Sequence, residues 1–222
     1  VSDKVFKLQL LTEEVVRNPA LKSSAFLLFA KLCELYGRCK SELLEVNHTA
    51  LKNYLSVSDN RSLKLIFNNM YENKLILNEI KSFPKKKALQ VHINKEMTTL
   101  HSKNYFTQVD IRLLDKRIVD QIGSVGVRLI YYYESRINRL ELYKDRCYAS
   151  ISTISQETGI SKNTIMKYNE ILKKNKLIRI KKHKLEHAGW EKDGNMIDYV
   201  QYANHTYVKL ENITKLIGDS DT

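Results

Sequence analysis

Two prolines and seven glycines in 222 residues leave the chain few places to break. Long stretches keep helical spacing, so the expectation is a mainly helical protein with short strands. The three cysteines, Cys33, Cys39 and Cys147, are an odd number with no disulfide framework. That points to reduced thiols in a cytoplasmic chain. No run approaches the roughly 20 apolar residues that a membrane span needs. The opening VSDKVFKLQL lacks an apolar core followed by small residues, so no secretory leader is expected, and the initial Val points to a trimmed start.

Catalytic groupings are missing too. There is no glycine-rich phosphate loop, which argues against ATP-driven work. His183 and His187 have a metal-like spacing but no Cys or carboxylate companions at recognised distances, so no metal or other cofactor is expected. A nicking nuclease would want a Tyr beside a His cluster or grouped carboxylates, whereas Tyr131, Tyr132 and Tyr133 read as a helix with buried tyrosines. Cys33 reads as core, and Trp190, in the loop from His187 to Asn195, takes no role. The chain is expected not to be an enzyme.

What the sequence does hold is positive charge. Thirty-seven Lys and Arg against 25 Asp and Glu give a formal net charge of +12 and a pI near 9.4. Divided at Lys103, both halves keep a basic excess, as expected if both face a polyanion. A hydrophobic content of 43% is ample for packed cores, and the length fits one large domain or two of roughly 100 residues each.

The organising feature is an internal repeat of about 102 residues, the distance from Asn73 to Asn175. Asn73-Lys74-Leu75-Ile76 recurs as Asn175-Lys176-Leu177-Ile178, with Ser62-Leu63 matching Thr164-Ile165 and Met70 matching Leu172. Further upstream the offset grows by one: Thr49, Leu51, Val57 and Ser58 match Ser152, Ile154, Ile160 and Ser161. In each copy a first helix is expected, Lys22 to Tyr36 and about Val125 to Asn138, the former striped by Phe26, Phe29, Ala30, Cys33 and Tyr36. Extended segments follow at Leu43 to Val46 and Cys147 to Ile151, then two helices, a strand, a basic turn and another strand. Between the copies Ile111, Leu114, Ile118 and Ile122 keep helical spacing up to the break Gly123-Ser124-Val125-Gly126. The expected division is residues 1–103, a connecting helix 104–123 that docks one unit on the other or on a second chain, and residues 124–222.

The clearest local motif runs from Ile151 to Ile165. Ser155 is a small residue where two helices cross, and Gly159 tolerates positive φ in the turn. Ile160 packs the turn, Ser161 can cap the next helix, and Ile165 and Leu172 anchor it inward. Over these roughly 40 residues the sequence resembles the helix-turn-helix superfamily, in its winged-helix form. The first copy departs from the pattern, with Ser56 where Gly159 stands and Leu55 replacing a small residue. The resemblance implies two tandem winged-helix domains whose second helices enter the major groove of double-stranded DNA. That would place Lys162, Asn163, Thr164 and Lys167 at base edges, with Asn60, Arg61, Lys64 and Asn68 as the first unit's counterparts.

Basic residues also crowd the two expected wings. From Ile171 to Leu185 stand Lys173, Lys174, Lys176, Arg179, Lys181, Lys182 and Lys184 with no acidic residue, and the first wing offers Lys81, Lys85, Lys86 and Lys87 around Phe83-Pro84. Such clusters suit phosphate contact. Two winged-helix units in one small basic chain resemble plasmid replication initiators and phage replisome organisers. That likeness implies origin binding, homodimerisation through the first unit and recruitment of host replication proteins. A transcriptional regulator and a non-specific DNA-coating or partition protein remain as alternatives. Single-strand binding is disfavoured, because no run of exposed aromatics alternates with basic residues.

Overall fold

The computed structural model describes residues 6–99, 104–141, 144–182 and 204–218. Strand β1 (Lys7–Leu11) leads through a single π-helical turn, Thr12–Val16, and a short loop into helix α1 (Ser23–Cys39). Phe26, Phe29, Ala30 and Cys33 are buried along one stripe, and Leu27, Leu28 and Leu32 are buried beside it, so α1 is wrapped on more than one side. It ends at Lys40, whose left-handed backbone (φ 57°) lets its N–H return to the Tyr36 carbonyl.

Strand β2 (Leu43–Val46) alternates exposed and buried residues, as a half-buried strand must. Helix α2 (His48–Leu55) starts where the Asn47 side chain accepts from the Thr49 and Ala50 amides, and α3 (Asn60–Glu72) where Asp59 accepts from Ser62. Leu63, Ile66, Phe67 and Met70 form the buried stripe of α3. The chain then bridges Ile76 to Ile93, and strand β3 (Leu89–His92) pairs antiparallel with β2.

Residues 106–123 differ from the expected helix. Phe106–Asp110 is strand β4, paired antiparallel with β1, and Ile111–Leu114 is a 3-10 turn. Helix α4 (Lys116–Glu134) begins only at the Asp115 cap and kinks at Gly123, whose φ of 64° and ψ of 172° lie outside helical space. The expected break is therefore a kink, from which the second unit's first helix sets off at once. Helices α5 (Ile151–Thr158) and α6 (Lys162–Lys174) follow, then β5 (Ile178–Lys181) paired antiparallel with β6 (His205–Val208), and a short helix α7 (Ile213–Ile217). The expected extended segment from Cys147 reduces to one bridge, Cys147 to Thr206, because α5 already starts at Ile151. The protein is mainly helical, with three small two-stranded antiparallel sheets. No helix among the described residues is long and apolar enough to cross a membrane.

The sequence repeat is also a repeat of backbone geometry. Lys74 and Lys176 both take left-handed φ, 58° and 57°, and so do Ser56 and Gly159. Leu75 N–H returns to the Met70 carbonyl as Leu177 N–H does to Leu172, and Asn73 and Asn175 each donate a side-chain amide to the carbonyl four residues earlier. The two units share one continuous apolar core, with α4 packed against both α1 and α6. Tyr131, Tyr132 and Tyr133 are all buried in it, as is Cys33, whose thiol burial pushes far up.

A buried cation marks the joint. Arg128 of α4 is 1% exposed, and its guanidinium donates to the carbonyls of Val16, Asn18 and Leu21. No carboxylate meets it among the described residues. Desolvation lowers its pKa to about 10, so it stays charged at neutral pH. The same segment reaches back to α4 through Arg17, which donates to the Ser135 carbonyl at 2.9 Å. The Gly159 turn sits against the Pro19 carbonyl.

Candidate nucleic-acid interface

The turn before α6 is built from local chemistry. Thr158 Oγ1 donates to the Ile154 carbonyl at 2.6 Å, Gly159 closes α5 in left-handed geometry, and Ile160 is buried. Ser161 Oγ then accepts from the Thr164 amide at 3.3 Å and lies 2.8 Å from the Thr164 hydroxyl. Ile165 and Leu172 are fully buried. Helix α6 therefore starts sharply, with no acidic residue in its first turn.

Lys162, Asn163 and Lys167 are exposed on this helix. Thr164 is not placed with them. It is half-buried, tied to the Ser161 cap, and lines a crevice against Pro19 and Ser24 of the first unit. Met166, 47% exposed, stands beside Asn163 on the side facing Ser150 and Lys182, an apolar residue not among the expected contacts. Below it Glu170 holds Lys173 at 2.9 Å, so the basic run after Ile171 is partly compensated from just outside its bounds.

On α3 the Asp59 cap is joined by Ser62, and both hydrogen bonds hold the Asp59 carboxyl below its usual range. Asn60 and Arg61 are exposed, while Lys64 and Asn68 are half-buried, and the buried Asn68 Oδ1 meets no donor. At the position of Lys167 this helix carries Leu65, 57% exposed. The first unit's face is thus less basic and more apolar than the second's. The signal for Leu65 and Met166 was an apolar residue out of phase with the buried stripe.

The first hairpin loop is anchored by Phe83, which stacks on His48 at 5.3 Å and packs against Phe67. Lys85, Lys86 and Lys87 follow in exposed positions, and Lys81 faces Glu79 at 3.7 Å. Lys181, at the end of β5, and Lys182 after it are exposed, while Lys184, His183, His187 and Trp190 lie outside the described residues. Among the described residues no group of three or more His, Cys, Asp or Glu could hold a metal ion. No protein-family model matches this sequence, and no curated protein matches it.

Proposed function

We propose that this chain is a sequence-specific double-stranded DNA-binding protein built from two winged-helix units in tandem, serving as an origin-binding replication initiator. The observation that carries the reading is the twice-repeated pair of helices joined through a left-handed residue. Ser56 and Gly159 make the turns, Asp59 and Ser161 cap the helices that follow, and Asn60, Arg61, Lys162, Asn163 and Lys167 stand exposed on those helices. An open, N-capped helix with Lys and Asn in its first turns offers donors to guanine and paired hydrogen bonds to adenine. Met166 and Leu65 add apolar contacts suited to thymine methyl groups. Lys85, Lys86, Lys87, Lys181 and Lys182, all exposed, would meet phosphates.

Two DNA-facing units in one chain favour a site with two parts, as at an origin of direct repeats. Selection from a random duplex library by the purified protein tests the reading. A two-part direct motif is the expected outcome. A palindrome would favour a promoter-binding regulator, uniform recovery a DNA coat, and no recovery would remove DNA binding altogether.

A further inference from the structure

The outer face of the second unit's sheet gathers residues that lie far apart in sequence. The Cys147–Thr206 bridge and the β5–β6 register place Arg146, Tyr207 and Arg179 in one row across the sheet, and Tyr148, His205 and Lys181 in the next. The rows are in mutual contact. Arg146 sits 5.4 Å and Arg179 4.7 Å from the Tyr207 ring centroid, Arg146 also lies 5.8 Å from Tyr148, and the Arg146 guanidinium donates to the Tyr207 hydroxyl at 2.8 Å. Tyr148 meets His205 edge to face at 4.6 Å and is itself 44% exposed. Asp145, paired with Arg146, is the acidic residue at the edge of the patch.

The equivalent face of the first unit shows that the fold does not require this composition. There the matching rows are Leu43, His92 and Leu77, then Glu45, Gln90 and Glu79, by the β2–β3 register and its continuation through the Ile76–Ile93 bridge. Two leucines in one unit are two arginines in the other, and two glutamates are a tyrosine and a lysine. Alternating rings and cations on an open sheet are the arrangement that lets bases stack while the backbone follows positive charge. Lys181 leads into Lys182 and the second hairpin loop, so the face is continuous with the residues proposed to meet phosphates.

We infer that this sheet face is a binding site for single-stranded DNA, its bases stacking on Tyr148 and on the guanidinium layer that Tyr207 supports, and its phosphates lying along Arg146, Arg179 and Lys181. The site is separate from the α6 helix face and does not depend on duplex recognition. The test is fluorescence anisotropy with an oligothymidine of about 20 nucleotides, long enough for a site of this class, beside a duplex recovered by selection or, failing that, a random duplex. Wild-type protein should bind oligothymidine, and Tyr148→Ala with Tyr207→Ala should weaken that binding at least tenfold while duplex affinity holds. Should the double alanine variant melt early, Tyr148→Leu with Tyr207→Leu keeps bulk on the sheet and removes only the rings, with the same expected loss. Tyr207→Phe should retain binding, since the ring remains. Absence of wild-type binding to oligothymidine overturns the inference, as does full binding by the ring-less variants. Equal losses on both probes would mean a general phosphate contact and overturn it as well. A protein that binds duplex but not oligothymidine fails here alone, whereas one that binds neither fails the proposed function too.

Discussion

Gly159 and Ser56 occupy the same place in the two repeats and answer to different constraints. Both hold left-handed φ, 68° and 55°, which costs a residue with a Cβ about 1–2 kcal/mol. Ser56 bears that cost in the open, where its hydroxyl accepts from Lys116 at 3.1 Å. At Gly159 a Cβ would come within 2.2 Å of the Pro19 carbonyl oxygen, a backbone atom that cannot swing away. Gly159→Ala should therefore cost about 3 kcal/mol and lower Tm by roughly 6–12 °C, at 2–4 °C per kcal/mol for a chain of this size. Ser56→Ala should move Tm by about 2 °C or less, and similar melts for both variants would sink the account. For the exposed helix face, Asn163→Ala and Lys167→Ala should each reduce discrimination between selected and unrelated duplex by about 1–3 kcal/mol in competition binding. Unchanged discrimination would place the reading surface elsewhere. Gly159, Ser161 and Ile165 were legible in the sequence because their roles are settled within a few residues. Thr164 was read as outward-facing, yet its hydroxyl is drawn into the Ser161 cap and its side chain toward a neighbour distant in sequence.

At the scale of elements, the segment between the repeats shows why period alone misleads. Ile111, Leu114, Ile118 and Ile122 keep helical spacing, but residues 106–110 become a strand because Lys7–Leu11 offers them a ladder. That pairing spans about a hundred residues and leaves no mark in local pattern, so the strand outcompetes the helix unseen. The repeat itself was legible because Asn-Lys-Leu-Ile encodes one local device: a left-handed Lys after the helix, whose successor returns its N–H to the last turn. Where the helix does begin, Asp115 caps it and pairs with Arg117 at 2.9 Å. The hydrogen bonds from Arg117 hold the Asp115 carboxyl below its usual value, and Asp59 is held low by Ser62. A depressed carboxylate stabilises the fold above its unfolded pKa and withdraws that support as pH falls through the folded one. Stability in urea should thus drop as pH falls below about 4, and Asp115→Asn should flatten that acid limb while costing about 1 kcal/mol at neutral pH through the weakened cap. An acid limb unchanged in the Asn variant would mean that other carboxylates govern it.

Over the whole molecule, the two repeats are fused rather than strung together. One apolar core runs through both, and Arg128 fastens them by donating from its buried guanidinium to three carbonyls of the segment before α1, those of Val16, Asn18 and Leu21. Replacing it by Met fills the space but leaves those buried carbonyls without their donor, at a cost of about 1–3 kcal/mol for each acceptor left unsatisfied. Arg128→Met should therefore lower the urea midpoint and split one unfolding transition into two. A single transition with an unmoved midpoint would show that the apolar core alone holds the joint. The net charge of +12 makes a second expectation at this scale: affinity for any duplex should fall steeply with salt, by about 0.9 in logarithmic slope for each phosphate contact. Salt-independent binding would contradict a phosphate-facing surface. The Arg128 contact was not legible in the sequence, because a lone Arg in an apolar helix reads as an exposed interruption until its carbonyl partners are known.

On the DNA-binding function proposed above, the clamp at Arg128 would make the protein a calliper. Two reading heads on a hinge could accept half-sites at several separations, whereas heads bolted to one frame measure a single span along the duplex. Each base pair inserted between the half-sites would also swing the second one around the helix axis by roughly 35°, given 10–10.5 base pairs per turn. The chain would then have to bend the DNA or let go of one half.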